Sequence, residues 1–564
     1  MPPGALAAPA YKYNLHRRRP TRKITSAMHA STPGPASLDA VIVGAGFAGI
    51  YALYRLRAKG LTVQCLEAAD DVGGTWYWNR YPGARCDVES MSYSYSFSPE
   101  LEREWVWTER YASQGEILRY LRHVVDRFSL RPLIRFKTRL THATLDDSSG
   151  RWSLRTDAGE SLTARFVIMA TGCLSEPRLP AIPGLEDFQG RIYQTSRWPR
   201  DAVDFSGQRV GVVGTGSSGI QCIPVIAAQA EHLTVFQRTP NFSVPAHNRP
   251  LDPNARQELM DNYAPFRKAL RESFTSLAPD APLPSAMELS AHEREQRYQA
   301  AWKDGGIRLL FCVSDTIVSK PANDTLVSFL HERIREVVKD PDVAERLLPW
   351  SHPLGTKRMC VDTDYYATFN RSNVALVDLR ATPIVAATRQ GLRTSAAEFP
   401  LDSLVFATGF DAMTGALLAI DIRGRQGRRL ADEWRNGPRT YLGVSASGFP
   451  NLFMITGPGS PSVISNMVIS IEQHVEFIAE LIGATRARGA NTVEAQATAQ
   501  EAWVAHVAAV AQGTLFPHAD SWYMGANIPG KPRVFLPYVG GVGPYRKKCE
   551  EVAAAGYEGF DLRA

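Results

Sequence analysis

No apolar run in the chain reaches membrane-spanning length, which excludes a transmembrane helix. No Cys-x-x-Cys pair occurs either. The seven cysteines (Cys65, Cys86, Cys173, Cys222, Cys312, Cys360 and Cys549) are scattered and odd in number. That pattern argues against structural zinc and against a redox-active dithiol, and it fits a reducing compartment such as the cytoplasm. Acidic residues are missing from positions 1–38, which carry Lys12, Arg17, Arg18, Arg19, Arg22 and Lys23. The chain's formal net charge is +6, so those side chains account for all of it and the remainder is neutral. A neutral body gives no bulk electrostatic case for nucleic acid. Rich in Pro, Ala, Ser and Arg and without periodicity, residues 1–38 are expected to form a disordered basic tail. They contain no apolar core of a secretory signal. An organelle-targeting peptide, a true start at Met28 and a solvated tail without a role all stay open.

At 564 residues, 44% hydrophobic and 21% charged, the chain has globular composition. Its length suits about two to four domains. Val41-Ile42-Val43 reads as a buried parallel strand, and Gly44-Ala45-Gly46-Phe47-Ala48-Gly49 as the turn into a helix over 50–56. Gly44 permits the turn, Gly46 lets a pyrophosphate approach the backbone, and Gly49 lets the helix pack on the sheet. The unpaired N–H groups and dipole at the helix start hold phosphates. Glu67 follows a second strand, at the place where an acid bonds ribose hydroxyls.

A second unit repeats the spacing at Gly214, Gly216 and Gly219, with Thr215, Ser217 and Ser218 between them and Gln221 just beyond. Its second strand ends in Gln237-Arg238 where the first unit has Glu67. A carboxylate repels a ribose 2′-phosphate, whereas a guanidinium binds it through a planar, charge-assisted contact. The first site therefore suits FAD and the second NADPH. The expected fold is α/β, with two Rossmann-like dinucleotide-binding domains and a helical insertion at about 250–350 in the NADP domain. The expected FAD domain comprises 39–173 and 409–564, with the NADP domain at 174–408. The crossings fall near Ala170-Thr171-Gly172 and Ala407-Thr408-Gly409.

Other segments are ambiguous by themselves. The aromatic stretch 73–87, which includes Thr75, Trp76, Arg85 and Asp87, reads as core or as the lining of a flat ligand. Gly457-Pro458-Gly459-Ser460 before a helical pattern reads as a buried loop or as a dipole facing a flavin ring. Asp362 and Asp364 lack a ligand cluster, so turn roles are expected and no metal. FAD beside NADPH implies hydride transfer to the flavin. A dithiol reductase needs a redox-active cysteine pair, and none is spaced for it; a monooxygenase instead holds reduced flavin against oxygen, which calls for fixed positive charge and exclusion of water. Arg358 is a candidate for that charge, and Lys357 for a partner of Arg238 at the 2′-phosphate, although by composition alone a Lys-Arg pair reads as solvated surface.

From about residue 39 to the end the chain resembles the type I Baeyer–Villiger monooxygenases, class B flavoprotein monooxygenases. The resemblance is carried by 44–49, by 73–87 (Gly73-Gly74-Thr75-Trp76-Tyr77-Trp78 through Asp87) and by 214–221. Gly355-Thr356-Lys357-Arg358 and Ser521-Trp522-Tyr523-Met524-Gly525 through Gly530 complete it. It implies that Gly44, Gly46, Gly49, Glu67, Thr75, Trp76, Arg85, Asp87, Tyr93 and Met467 contact FAD. It places NADPH on Thr215, Gly216, Ser217, Ser218, Gly219, Gln221, Gln237, Arg238, Lys357 and Trp522. Arg358, oriented by Asp87, is implied to stabilise a C4a-peroxyflavin and its adduct with a ketone. Ser462, Val463, Ile464, Ser465 and Met467 match the substrate-lining bulge. The implied activity uses NADPH and O2 to insert oxygen beside a ketone carbonyl, giving an ester or lactone. A cytoplasmic monomer with no nucleic-acid partner is the expectation, with organelle targeting by the basic tail left open.

One position departs from the family fingerprint Phe-x-Gly-x-x-x-His-x-x-x-Trp-Pro. Here Phe188, Gly190, Trp198 and Pro199 stand in place, but Gln194 replaces the His. Glutamine hydrogen-bonds like a neutral imidazole and carries no proton near neutral pH. A sulfur- or nitrogen-oxidising flavin monooxygenase, an NADPH oxidase releasing peroxide, and a non-catalytic flavin-binding protein are the alternatives.

Overall fold

β-Branched and aliphatic runs form two sheets with parallel cores, each organised around one glycine motif. The computed structural model describes residues 37–277 and 282–564. In the first sheet Ser37–Val43 lies between Val63–Leu66 and Ser161–Met169, parallel to both. Ala40, Val41 and Ile42 are fully buried there, as a strand covered on both faces requires. Leu452–Met454 runs beside the end of Ser161–Met169. Leu140–Asp146 and Arg151–Thr156 add an antiparallel excursion.

The second sheet has five parallel strands, ordered Val374–Asp378, His232–Gln237, Arg209–Val213, Ser403–Phe406 and Arg191–Gln194. The chain thus passes from the first sheet to the second after Met169 and returns after Phe406. This is the expected α/β class with two Rossmann-like units. Both turns have the same stereochemistry. Gly44 has φ +105° and Gly214 φ +108°, and a Cβ on them would lie 2.6 Å from the Ala170 carbonyl oxygen and 2.5 Å from that of Ala407. The two Ala-Thr-Gly strand ends therefore floor the two glycine turns.

Helices Pro253–Asp261, Tyr263–Glu272, Ala291–Asp304, Lys320–Val337 and Pro341–Leu347 occupy the charged region near 250–350. Their starts are specified locally. Asp252, Ser319 and Asp340 cap three of them just before a proline, and Ser290 with Glu293 forms a reciprocal capping box. Arg110, 5% exposed, ties this region to the segment after the aromatic stretch. Its guanidinium meets Glu89 at 2.8 Å and Asp304 at 3.1 Å.

The expectations for residues 1–36 lie outside the described residues. Ser37 and Leu38, expected in the tail, instead open the central strand of the first sheet. Among the described residues no helix is long and apolar enough to cross a membrane.

Candidate functional site

The first glycine turn faces another pair of glycines. A Cβ on Gly46 would stand 3.3 Å from the Gly74 Cα, and one on Gly74 would stand 2.9 Å from the Gly46 Cα. The floor between them is bare backbone, which a pyrophosphate needs. Glu67 is 5% exposed, and its two carboxylate oxygens accept from the N–H groups of Ala45 at 2.6 Å and Ala69 at 2.7 Å. Burial raises its pKa, against those bonds and the charge of Arg139. Each oxygen keeps a second lone pair for a ribose hydroxyl. The Trp76 indole N–H donates to the Tyr93 hydroxyl at 3.2 Å, and the Tyr93 ring lies 5.3 Å from that of Phe47 at the start of helix Phe47–Ala58. Thr75 is exposed at the start of the short helix Thr75–Trp78. In the aromatic stretch Tyr77 and Tyr81 are buried core, while Trp76 reaches Tyr93. This set fits FAD.

At the second turn a Cβ on Gly216 would meet nothing within 4 Å, so that backbone is open to a ligand. Gly219 packs its helix on the turn, with the Gly214 carbonyl oxygen 2.2 Å from its would-be Cβ. Thr215 donates to the Thr239 carbonyl at 3.0 Å, and the Ser217 hydroxyl lies 3.4 Å from the Cys360 sulfur. Ser218 lies close to the Tyr81 hydroxyl. Arg238 is exposed beside Lys357. Burial and the Arg238 charge depress the Lys357 pKa, although its ammonium donates to the Asp520 carbonyl. Two cations side by side make an anion site, and the set fits NADPH.

Three expected cofactor contacts are engaged elsewhere. Gln237 is 1% exposed and donates to the Arg346 carbonyl at 2.8 Å, inside the fold. Gln221 and Arg85 hold each other. The Gln221 carboxamide accepts from the Tyr81 hydroxyl at 2.9 Å and the Arg85 N–H at 3.3 Å, and donates to the Arg85 carbonyl at 3.1 Å. The Arg85 guanidinium turns to Glu109 and the Tyr111 carbonyl. Gln221 thereby fastens the 81–87 segment, which ends in Asp87, to the second unit's helix Ser217–Gln229.

Asp87 and Arg358 form a two-pronged pair, with Nε to Oδ2 at 2.7 Å and Nη2 to Oδ1 at 2.9 Å. The remaining Arg358 nitrogen donates to the Val463 carbonyl at 2.9 Å. Burial would lower the guanidinium pKa, but the Asp87 charge and hydrogen bonds, with Tyr523, raise it above its ordinary value. Tyr523 has no role assigned from sequence beyond its place in the 521–530 motif, and it lies against Arg358. Trp522 packs beside it, its ring tilted against that of Tyr523 with the centroids 4.1 Å apart. The neighbouring thiols of Cys86 and Cys360 are buried, and burial pushes Cys360 up to about 12.

Arg358 and Tyr523 face an apolar cavity walled by Leu310, Phe311, Phe516, Ile464 and Ser465 among others. Of the five expected substrate-lining residues, Ile464 and Ser465 line it. Ser462, Val463 and Met467 do not. Ser462 is fully buried with its hydroxyl toward the Met413 sulfur, Val463 presents its carbonyl to Arg358, and Met467 packs at the start of helix Met467–Ala487. Asp362 accepts from the Tyr365 N–H at 3.0 Å and from the Ser243 hydroxyl, a turn role.

A family model described as pyridine nucleotide-disulphide oxidoreductase matches residues 41–273. A Baeyer–Villiger monooxygenase of Pseudooceanicola batsensis is 43% identical, over 93% of this chain and 96% of its own. A phenazine N-monooxygenase of Lysobacter antibioticus is also 43% identical, over 93% of this chain and 97% of its own. A solved structure of an oxidized steroid monooxygenase bound to NADP superposes with a TM-score of 0.90 at 53% identity, covering 94% of this chain and all of the other. With two dinucleotide units, an Arg358–Asp87 pair at an apolar cavity and likeness along nearly its whole length, the chain belongs to the Baeyer–Villiger monooxygenase family of FAD- and NADPH-dependent enzymes.

Proposed function

We propose that the protein converts a ketone, O2 and NADPH into an ester or lactone, water and NADP⁺. The observation that carries this reading is the position of Arg358, a permanent cation fixed by Asp87 at the wall of a cavity otherwise almost wholly apolar. Bound flavin supplies the two-electron and oxygen chemistry. The chain supplies orientation and electrostatics. Negative charge that develops on oxygen beside Arg358 is stabilised without reorganisation, because the guanidinium is already held by Asp87 and the Val463 carbonyl. The apolar walls exclude water and strengthen that interaction. Tyr523 adds a hydroxyl at the same place. Arg238 and Lys357 would hold the 2′-phosphate, and the open backbone at Gly216 would admit the pyrophosphate. Glu67 takes the FAD ribose, with Trp76 and Tyr93 beside Asp87.

The FAD-binding domain comprises 39–173 and 409–564 and the NADP-binding domain 174–408 in this reading. The enzyme works as a cytoplasmic monomer, with which seven unpaired cysteines agree. The identity to a phenazine N-monooxygenase favours nitrogen oxidation as a second reading. One assay separates them. NADPH consumption, hydrogen peroxide and product are followed together with phenylacetone, cyclic ketones and phenazine. Ester matching the NADPH consumed is the expected result. N-oxide alone supports the second reading, and peroxide alone across the whole panel overturns both.

A further inference from the structure

The outer wall of the cavity is made by a segment whose backbone is held from two sides. Helix Tyr263–Glu272 ends at Ser273, and the next residues, Phe274 and Thr275, line the cavity. Helix Val542–Ala554 begins against them. Its first two N–H groups have no partner within their own helix. They donate outward, from Val542 to the Phe274 carbonyl at 2.8 Å and from Gly543 to the Ser273 carbonyl at 3.1 Å. On the other side the Asn466 N–H, next to the 462–465 bulge, donates to the Thr275 carbonyl at 3.3 Å.

Such an approach is open only to glycine. A Cβ on Gly543 would stand 2.0 Å from the Glu272 carbonyl oxygen. A Cβ on Gly541, which has φ +92°, would stand 2.5 and 2.7 Å from the Cδ2 and Cε2 atoms of the Phe274 ring. The ring therefore rests on the space that Gly541 leaves. It is 42% exposed, so one side meets solvent while the other faces the cavity. Removing or enlarging this side chain changes the wall and leaves the two backbone seams intact.

We propose that Phe274, seated on Gly541, sets the upper size limit of the ketone that reaches Arg358. This rests on the ketone-oxygenating reading above and narrows it to ketones whose apolar body fits between the Phe274 ring and the bulge at Ile464. A methylene more or less in an apolar pocket changes discrimination by roughly 10–200-fold, and a whole ring changes it by at least about tenfold.

The test uses the FAD-loaded full chain with a small ketone, cyclohexanone, and a cage ketone, 2-adamantanone. For each, the Kd is read from the perturbation of flavin absorbance, and kcat/KM from ester formation. Phe274→Ala is expected to raise the cage-to-small preference by at least about tenfold in both quantities. Phe274→Trp is expected to lower it by a similar factor. Gly541→Ala, which pushes the ring inward, should follow Phe274→Trp. A preference constant within about twofold across both Phe274 variants overturns the proposal, as does binding of neither ketone by the parent enzyme. Kd preferences that shift while no ester forms leave the role of Phe274 standing and overturn the reading of the activity instead.

Discussion

The Arg358 guanidinium meets the Asp87 carboxylate prong to prong, although 271 positions separate them in the chain. Arg358→Ala removes the fixed charge, and ester formation is expected to fall by at least about 10²–10³-fold. Flavin reduction by NADPH should continue, as stopped-flow absorbance would show. Asp87→Asn keeps the shape but leaves the cation without its counter-charge, so ester per NADPH should drop and hydrogen peroxide rise. Equal loss of reduction and ester in Arg358→Ala would contradict this assignment.

Gly214 and Gly216 differ in what surrounds them, and their alanine variants should differ too. Gly216→Ala meets no protein atom within 4 Å, so the variant should fold, stay yellow and lose NADPH affinity. Gly214→Ala combines φ +108° with a carbonyl oxygen 2.5 Å away, so it should fail to accumulate as folded protein. Expression yield, the visible spectrum and an NADP⁺ titration distinguish the two outcomes.

Lys357→Ala should raise the NADPH KM by about 10–100-fold and leave that for NADH nearly unchanged, since only NADPH carries the 2′-phosphate. The free lysine's pKa is depressed by burial and by Arg238, and a bound phosphate raises it again. NADPH affinity is therefore full below the depressed lysine pKa and declines as pH rises above it. In Lys357→Ala this alkaline decline should vanish.

Glu472 is 2% exposed on helix Met467–Ala487, where its carboxylate accepts from the Ser96 N–H and hydroxyl, both at 2.6 Å. Burial raises its pKa from 4.5 to about 7, against the Ser96 bonds and the charge of Arg267. The fold holds this proton more tightly than the unfolded chain does. The contribution is thus full below about pH 4.5, lost as pH rises to about 7, and constant above. Glu472→Gln should gain up to about 3 kcal/mol on the parent over that interval. Melting temperatures of both proteins from pH 5 to 8 check the trend. A difference independent of pH would refute it.

Gln194 ends the edge strand Arg191–Gln194, in register with Phe406. It is half-buried, and its side chain makes no hydrogen bond among the described residues. Gln194→His restores the family fingerprint, and it should change the rate of flavin reduction or the leak to peroxide. Identical kinetics and coupling in the two proteins would remove any role for this position.

Both dinucleotide units were legible because a strand, a glycine turn and a helix are specified within about twenty consecutive residues. Glu67 against Arg238 separated their ligands on charge alone. The partnership of Asp87 with Arg358 came only with the family resemblance, since no local pattern joins residues so far apart. The contact of Tyr523 with Arg358 was not legible at all, and only the fold brings the two together. Gln221 was legible as a residue but not in its contacts, because its position after Gly219 is equally compatible with a nucleotide and with the Arg85 backbone. The cavity was the least legible part. Phe274, Leu310, Ile464 and Phe516 come from four distant segments, and only packing reveals that they share a wall.

Cys86 and Cys360 stand next to Asp87 and near Arg358 in the sequence, where escaping oxidant is most concentrated. Oxidants attack the thiolate, and burial pushes the Cys360 pKa up to about 12, which favours the protonated thiol at neutral pH. Cys86 is buried and shifted upward in the same way. The low polarity that keeps water from the reacting oxygen also keeps these sulfurs protonated. Burial thus lowers the reactivity of these two thiols toward oxidant without a separate protective device.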